Sequence, residues 1–488
     1  MRALRRWTLA ALMIATGGAG AASDPSTVWP VYRQANAQQP LVYERGQVEA
    51  FEGGQRRSFM LQSQYWPNAQ QGAMWRHRVQ LLQPDVPQSG PALLVINNGV
   101  AYEGSGRATG AADDFPDDVL ETMVRTLGMA IVSIADVPPQ AMALPEDPSV
   151  RAEDDLVAAS WRRYLDDPVD HAHWPLHVPM AEAAVRAMDL ADRELPVAQR
   201  PSYVVTGASK RAWVSWLLPL VDERVSHIAP FVIDMNWQAL APHIGQAYGG
   251  RWPIALHPYV RHGITDAIGS EGFNDLMHIV DPYTYLQGPH AARLALPKLL
   301  VNASGDDFFP PDGTEHYLSA LPGLTTLRVA PNSDHGGIRR FSTDSLVPAL
   351  RRWRTGRTLP QVRAQWRPAD ALLRVHTGSE RPRRATLWQA HNPEARDFRH
   401  ACGIVYKAHA VELNDGAVPD VPLPAPASGW TASFVELHYD DGMIATTPVQ
   451  VLPRDRFPGK PPVEAGGRCK LVPVSVSAPS AVVRASVD

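Results

Sequence analysis

Three observations predict an α/β fold built on a mostly parallel sheet covered on both faces. Apolar runs of strand length recur along the first two-thirds of the 488-residue chain, at 93–96, 129–134, 203–208, 225–233 and 296–303. Such continuous runs suit strands buried on both faces. Segments of helical period separate them: Val119, Met123 and Leu127 fall on one face of residues 115–127, and Met180-Ala-Glu-Ala-Ala-Val-Arg-Ala-Met is amphipathic. Strand alternating with helix implies parallel pairing with crossover helices. Third, near residue 360 the composition turns to short Val-, Thr- and Pro-rich runs, such as Ala371-Leu-Leu-Arg-Val-His and Ser433-Phe-Val-Glu-Leu-His-Tyr. Those read as a C-terminal β-sandwich.

In chain order, residues 1–22 read as a signal peptide. Arg2, Arg5 and Arg6 precede an apolar stretch from Trp7 to Ala15 that is too short to span a bilayer, and Ala19-Gly-Ala-Ala offers small-residue cleavage sites. Arg5-Arg6 also has a twin-arginine character. An exported protein, periplasmic or secreted, is expected. Residues 41–82 alternate polar and apolar around Tyr43, Phe59, Tyr65 and Trp75, as antiparallel entry strands do. An α/β domain is expected over 23–358, with helical cap insertions at about 139–180 and 236–290. The second insertion carries Trp237, His243, Tyr248, Trp252, Tyr259 and Phe273, equally suited to lining a pocket or to a core of its own. The sandwich is expected over 359–470 and a mobile tail over 471–488.

Three strand ends carry chemistry. Tyr203-Val-Val-Thr-Gly-Ala-Ser209 breaks at Gly207 and continues into the helix-like Ala212-Trp-Val-Ser-Trp, which sets Ser209 on a strand-to-helix turn. The run from Leu296 ends in Gly305-Asp306-Asp307, and the run from Leu324 ends in Asn332-Ser-Asp-His335-Gly-Gly. Serine, acid and histidine, each just after a strand, stand in the chain order of α/β-hydrolases. A serine hydroxyl attacks only when a base takes its proton, and imidazole titrates in the right range. Asp306 or Asp307 can orient that imidazole. The oxyanion donors expected are the backbone of Lys210, after the serine, and the Asn98-Gly99 turn after the strand at 93–96.

These segments resemble the PhoPQ-activated pathogenicity-related proteins. The resemblance is carried by Ser160-Trp-Arg-Arg-Tyr-Leu, Trp174-Pro-Leu-His-Val-Pro-Met, Gly207-Ala-Ser-Lys-Arg-Ala-Trp, Pro230-Phe-Val-Ile-Asp, Val280-Asp-Pro-Tyr-Thr-Tyr, Leu296 to Asp312, Pro331-Asn-Ser-Asp-His, Arg396-Asp-Phe-Arg and Gly429-Trp-Thr-Ala-Ser-Phe. It implies an α/β-hydrolase with an appended sandwich, related to peptidases and esterases, with Ser209 as nucleophile, Asp306 as acid and His335 as base. Arg211 stands where most hydrolases have glycine, and Ala212 where this family is expected to have one.

Net charge of −4 argues against a nucleic-acid or anionic-membrane partner. No later segment is long and apolar enough to span a membrane. No cofactor or metal is expected: two cysteines cannot build a cysteine-rich zinc site, and His171-Ala-His173 lacks an acid at ligand spacing. Cys402 and Cys469 are expected to form one disulfide. The resulting expectation is an exported serine hydrolase acting on a small-molecule or peptide substrate at an ester or amide bond. The alternative is a catalytically silent binding or signalling protein on the same fold. The sequence leaves the choice of bond and the oligomeric state open.

Overall fold

The computed structural model describes residues 25–70, 72–100, 110–145, 147–195 and 202–473. The expected signal peptide lies outside the described residues, as does 474–488 of the expected tail.

A nine-stranded sheet organises the chain. Across it the strands run Val42–Phe51, Gly54–Trp66, Ala73–Pro84, Ile131–Ile134, Ala92–Ile96, Tyr203–Ala208, Val225–Phe231, Lys298–Ala303 and Thr325–Ala330. The first three strands and their junction with Ile131–Ile134 are antiparallel, and every later pairing is parallel. This is the α/β-hydrolase architecture, entered through the antiparallel strands that the alternation at 41–82 predicts.

Successive residues of a strand face opposite sides. Ala92, Leu94 and Ile96, with Tyr203 and Val205, join one apolar layer; Leu93 and Val95, with Val204, join the other. Both faces are therefore buried, which explains why these strands read as unbroken apolar runs. Helices Glu153–Asp166, His177–Glu194 and Lys210–Leu217 cover the first face, and Asp117–Leu127 and Ser342–Arg354 the second. Helix Asp117–Leu127 ends on Gly128 at φ 63°, a left-handed cap suited to glycine.

The C-terminal segment forms two antiparallel sheets. One joins Arg363–Arg367, Leu372–His376 and Val421–Pro422; the other joins Lys407–Val411, Arg384–Asn392, Trp430–His438, Ile444–Thr446 and Gln450–Leu452. Their apolar residues merge with the main cores. Leu373, Leu387 and Val435 pack into the layer that holds Leu346 and Leu350. Thr446 Oγ1 accepts from the Val329 backbone N–H at 3.0 Å, tying the second unit to the edge strand of the main sheet.

One expectation is corrected and one open alternative is decided. Residues 471–473, placed with the tail, pair antiparallel with Arg251–Pro253 of the second insertion. The aromatic residues of that insertion serve as core: Tyr248, Trp252 and Phe273 are buried, and Trp237 stacks on Trp213 at 5.9 Å. Large apolar rings gain more from packing together than from facing water.

Candidate active site

Ser209 sits where the strand Tyr203–Ala208 turns into the helix Lys210–Leu217, with φ 58° and ψ −128°. Few non-glycine residues adopt such a backbone, and it recurs at nucleophile elbows. The turn is held by the Ser209 N–H to Phe231 O bond at 2.9 Å. It also depends on Gly207, because a Cβ there would stand 2.8 Å from the carbonyl carbon of Arg211. Arg211 and Ala212, the two departures from expectation, fit without crowding. Ala212 is buried in the core, while the Arg211 guanidinium reaches Val137 O at 2.6 Å and Glu153 Oε1 at 2.6 Å.

Asp306 and His335 follow the last two strands of the sheet, Lys298–Ala303 and Thr325–Ala330. His335 Nδ1 lies 2.9 Å from Asp306 Oδ2 and 3.0 Å from Oδ1, while Nε2 is buried with no hydrogen-bond partner. Asp306 Oδ1 also accepts from the Phe308 N–H at 2.7 Å, which orients the carboxylate. Burial alone pulls the His335 pKa down; the Asp306 charge and hydrogen bond more than offset this and leave it raised. Asp307 makes no such bond. Its Oδ1 is buried and unpaired, Oδ2 is 3.8 Å from Arg468, and burial, with the charges of Asp306 and Asp334, pushes its pKa up to about 6.

Ser209 and His335 line one cleft of about 180 Å³. Its other walls carry a charge network invisible to the motif reading. Lys210 Nζ is 2.7 Å from Glu153 and 3.3 Å from Asp154, and Arg211 contacts Asp114 at 3.4 Å. Burial raises Asp114; it also opposes ionisation of Glu153, but Arg211 and Lys210 overcome this and hold Glu153 well below the usual carboxylate range. The one sequence signal was Lys210-Arg211 itself, two adjacent cations that need partners once buried. Of the two insertions, the first supplies cleft residues, Glu153 and Asp154, and the second supplies none.

Of the Asn98-Gly99 turn, Asn98 lines the cleft with Ser209 and His335, its N–H 3.1 Å from Asn97 Oδ1, while Gly99 is not among the lining residues and lies against Arg78 and Asp136. Asn97 and Asn98 brace the 113–115 loop through its backbone. The Lys210 N–H stands at the start of the helix that follows Ser209.

The family model for PhoPQ-activated pathogenicity-related protein matches residues 30–399 of this sequence. The chain belongs to that family. Autocrine proliferation repressor protein A of Dictyostelium discoideum is similar at 26% identity over 407 residues, 78% of each chain. Similar solved structures include an acetyl xylan esterase from Paenibacillus sp. R4, with TM-score 0.46, 15% identity, and coverage of 69% of this chain and 95% of that one. A glucuronoyl esterase from Solibacter usitatus has TM-score 0.41 and 12% identity, covering 68% and 91% respectively.

In this PhoPQ-related protein the C-terminal unit buttresses the acid loop. The His400 N–H donates to Gly305 O at 3.0 Å, and Arg396 pairs with Asp312 at 2.7 Å, both side chains buried. A Cβ on Gly305 would meet the His400 nitrogen at 2.6 Å, so this approach requires glycine. The disulfide between Cys402 and Cys469 closes the same turn, and Arg399 bonds the backbone of Arg468, Cys469 and Lys470.

His171 and His173 do not converge on an ion site. His171 Nδ1 is bonded to Arg163 O, while His173 packs on Tyr32. His243, Glu315 and His316 bring ligand atoms within 4.8 Å of one another, yet Asp312 already holds His243 and Arg454 holds Glu315 at 2.7 Å. Among the described residues no helix is long and apolar enough to cross a membrane.

Proposed function

We propose that this protein is an exported serine hydrolase that cleaves an ester or amide bond through an acyl-enzyme. Ser209 is the nucleophile, His335 the general base and Asp306 the orienting acid. With Nδ1–H donated to Asp306, the His335 tautomer leaves a lone pair on Nε2, which takes the Ser209 Oγ proton as Oγ attacks the carbonyl carbon. The oxyanion accepts from the Lys210 N–H. Collapse expels the leaving group, which takes the proton from Nε2, and water then releases the acyl group by the same route. The observation that carries this reading is the pairing of a positive-φ serine on an elbow with a histidine whose Nδ1 is held by a buried aspartate and whose Nε2 is unpaired in the shared cleft. Export is supported by the N-terminal segment and by the disulfide, which suits an oxidising compartment.

One observation favours the silent binding or signalling protein: no hydrogen bond joins His335 Nε2 to Ser209. The name of the Dictyostelium relative fits that reading. Loose geometry is nevertheless common before substrate binds. Fluorophosphonate labelling decides, run beside Ser209→Ala and His335→Ala variants whose circular dichroism matches the parent. Labelling of the parent that both variants lose supports the hydrolase; an unlabelled parent supports the silent protein.

A further inference from the structure

The loop that carries the base is held from the C-terminal unit. Asn332, three residues before His335, has a left-handed backbone with φ 54° and is pinned on two sides: the Tyr406 N–H donates to its Oδ1 at 2.7 Å, and its Nδ2 donates to Tyr406 O at 3.0 Å. Such a conformation persists only where the surroundings over-determine it. Asp334 Oδ1 then accepts from the Gly337 N–H at 2.6 Å, which closes a turn around His335. Its other oxygen, Oδ2, lies 3.2 Å from Arg468 Nη1, and the same nitrogen lies 3.8 Å from Asp307 Oδ2. One guanidinium of the C-terminal unit reaches both the residue before the base and the residue after the acid.

The backbone of Arg468 is fixed for this contact. Cys469 is tied to Cys402 by the disulfide, and the buried Arg399, itself held by Asp397 at 2.7 Å, donates to the carbonyls of Arg468, Cys469 and Lys470 at 3.2, 3.0 and 3.0 Å. An exposed ion pair usually gains little, because ordering two long side chains cancels the attraction. Here the backbone is already ordered and one partner, Asp307, is buried. Burial, with the charges of Asp306 and Asp334, pushes the Asp307 pKa up to about 6, and the His335 and Arg468 cations pull against that. The cation also comes close to the base itself: a Cβ on Gly336 would stand 4.0 Å from Arg468 Nη1.

We propose that Arg468 is a positioning residue of the Ser209 site: its cation joins the acid loop to the base loop and sets the charge around the general base. The proposal rests on His335 being that base. His335 is also faced by Asp306 and Asp307, by Lys210 of the elbow helix and by Asp154 of helix Glu153–Asp166. Arg339, paired with Asp113, and Arg211, paired with Glu153 and Asp114, line the same cleft. Those cations keep their own carboxylates when Arg468 is removed, so Asp307 and Asp334 are the charges set free. Freed carboxylates favour the imidazolium, and the His335 pKa should rise.

The test is the titration of His335 in the full chain, followed by NMR of carbon-labelled histidine, with the signal assigned by its loss in His335→Gln. The Arg468 side chain is 65% exposed, so its variants should keep the parent's melting temperature. Arg468→Gln should raise the His335 pKa by about half a unit at low salt, and Arg468→Glu by about one unit. Arg468→Lys, which restores the charge, should bring it back to within about 0.2 of the parent, and about 1 M NaCl should shrink the Arg468→Gln shift to less than half. The acid limb of fluorophosphonate labelling should move to higher pH in the same order. Equal titration of the parent and Arg468→Gln overturns the proposal; so does an Arg468→Lys shift as large as that of Arg468→Gln, or a shift indifferent to salt. The titration needs no turnover, so a parent that takes no label refutes the hydrolase reading while the titration still decides this one.

Discussion

Replacing Asp306 by asparagine, beside the same change at Asp307, tests the site at the level of single atoms. His335 Nδ1 lies 2.9 and 3.0 Å from the two Asp306 oxygens, so in the parent it must carry the proton. An asparagine presents an amide donor there, favours the opposite tautomer and moves the proton to Nε2, where it blocks acceptance from Ser209. The expected loss is about 10⁴ in rate, or roughly 5 kcal/mol of transition-state stabilisation. Asp307 Oδ1 has no hydrogen-bond partner and the group acts on His335 through its charge, so Asp307→Asn should lose less than about tenfold. The assay is the second-order rate of fluorophosphonate labelling, which requires no knowledge of the substrate, measured from pH 5 to 9. The base works only when neutral, so labelling should fall as pH drops through a His335 pKa that lies above the ordinary value. Asp306→Asn should move that limb to lower pH. An Asp307→Asn variant as impaired as Asp306→Asn, or an acid limb indifferent to Asp306→Asn, would refute the assignment.

Three further outcomes are expected. His177 is fully buried between Trp161 and Trp213 with both ring nitrogens unpaired, so His177→Phe should stabilise the fold by about 1–2 kcal/mol in urea titrations. Burial, with Lys210 nearby, lowers the His177 pKa to about 3, so the parent loses stability as pH falls from the ordinary histidine value toward that figure; the variant should not share that component, and a less stable variant contradicts the reading. Asp234 accepts from Tyr317 Oη at 2.6 Å and Asn302 Nδ2 at 2.9 Å, yet burial raises its pKa to about 7. The folded state then holds a proton the unfolded state releases, so this group's contribution falls as pH rises from the ordinary aspartate value to about 7; Asp234→Asn should flatten stability over that window, at most about 1.4 kcal/mol per pH unit. Cys402→Ser with Cys469→Ser opens a loop of 67 residues and should remove about 4 kcal/mol, with labelling of Ser209 slowed because the turn that braces Gly305 is freed; unchanged labelling in the folded variant would separate the disulfide from the site.

Local chemistry decided what the sequence alone determined. The buried strands were legible because residues enclosed on both faces must be apolar without alternation, as at 93–96 and 203–208. Ser209, Asp306 and His335 were legible because each follows directly on such a strand. Adjacent carboxylates, by contrast, look alike in sequence. Only the direction of each side chain, set by the turn after Ala303, separates Asp306, which meets His335, from Asp307, which does not. The Asn98-Gly99 turn could likewise be located from its residues, but that Asn98 lines the cleft while Gly99 lies against Arg78 depends on a neighbouring strand. Glu153 and Asp154 reach Lys210 across more than fifty positions of chain, and Arg396 reaches Asp312 from the second unit. No periodicity records such pairs, because they are chosen by packing: a cation buried by the fold must find its counter-charge wherever the fold brings one.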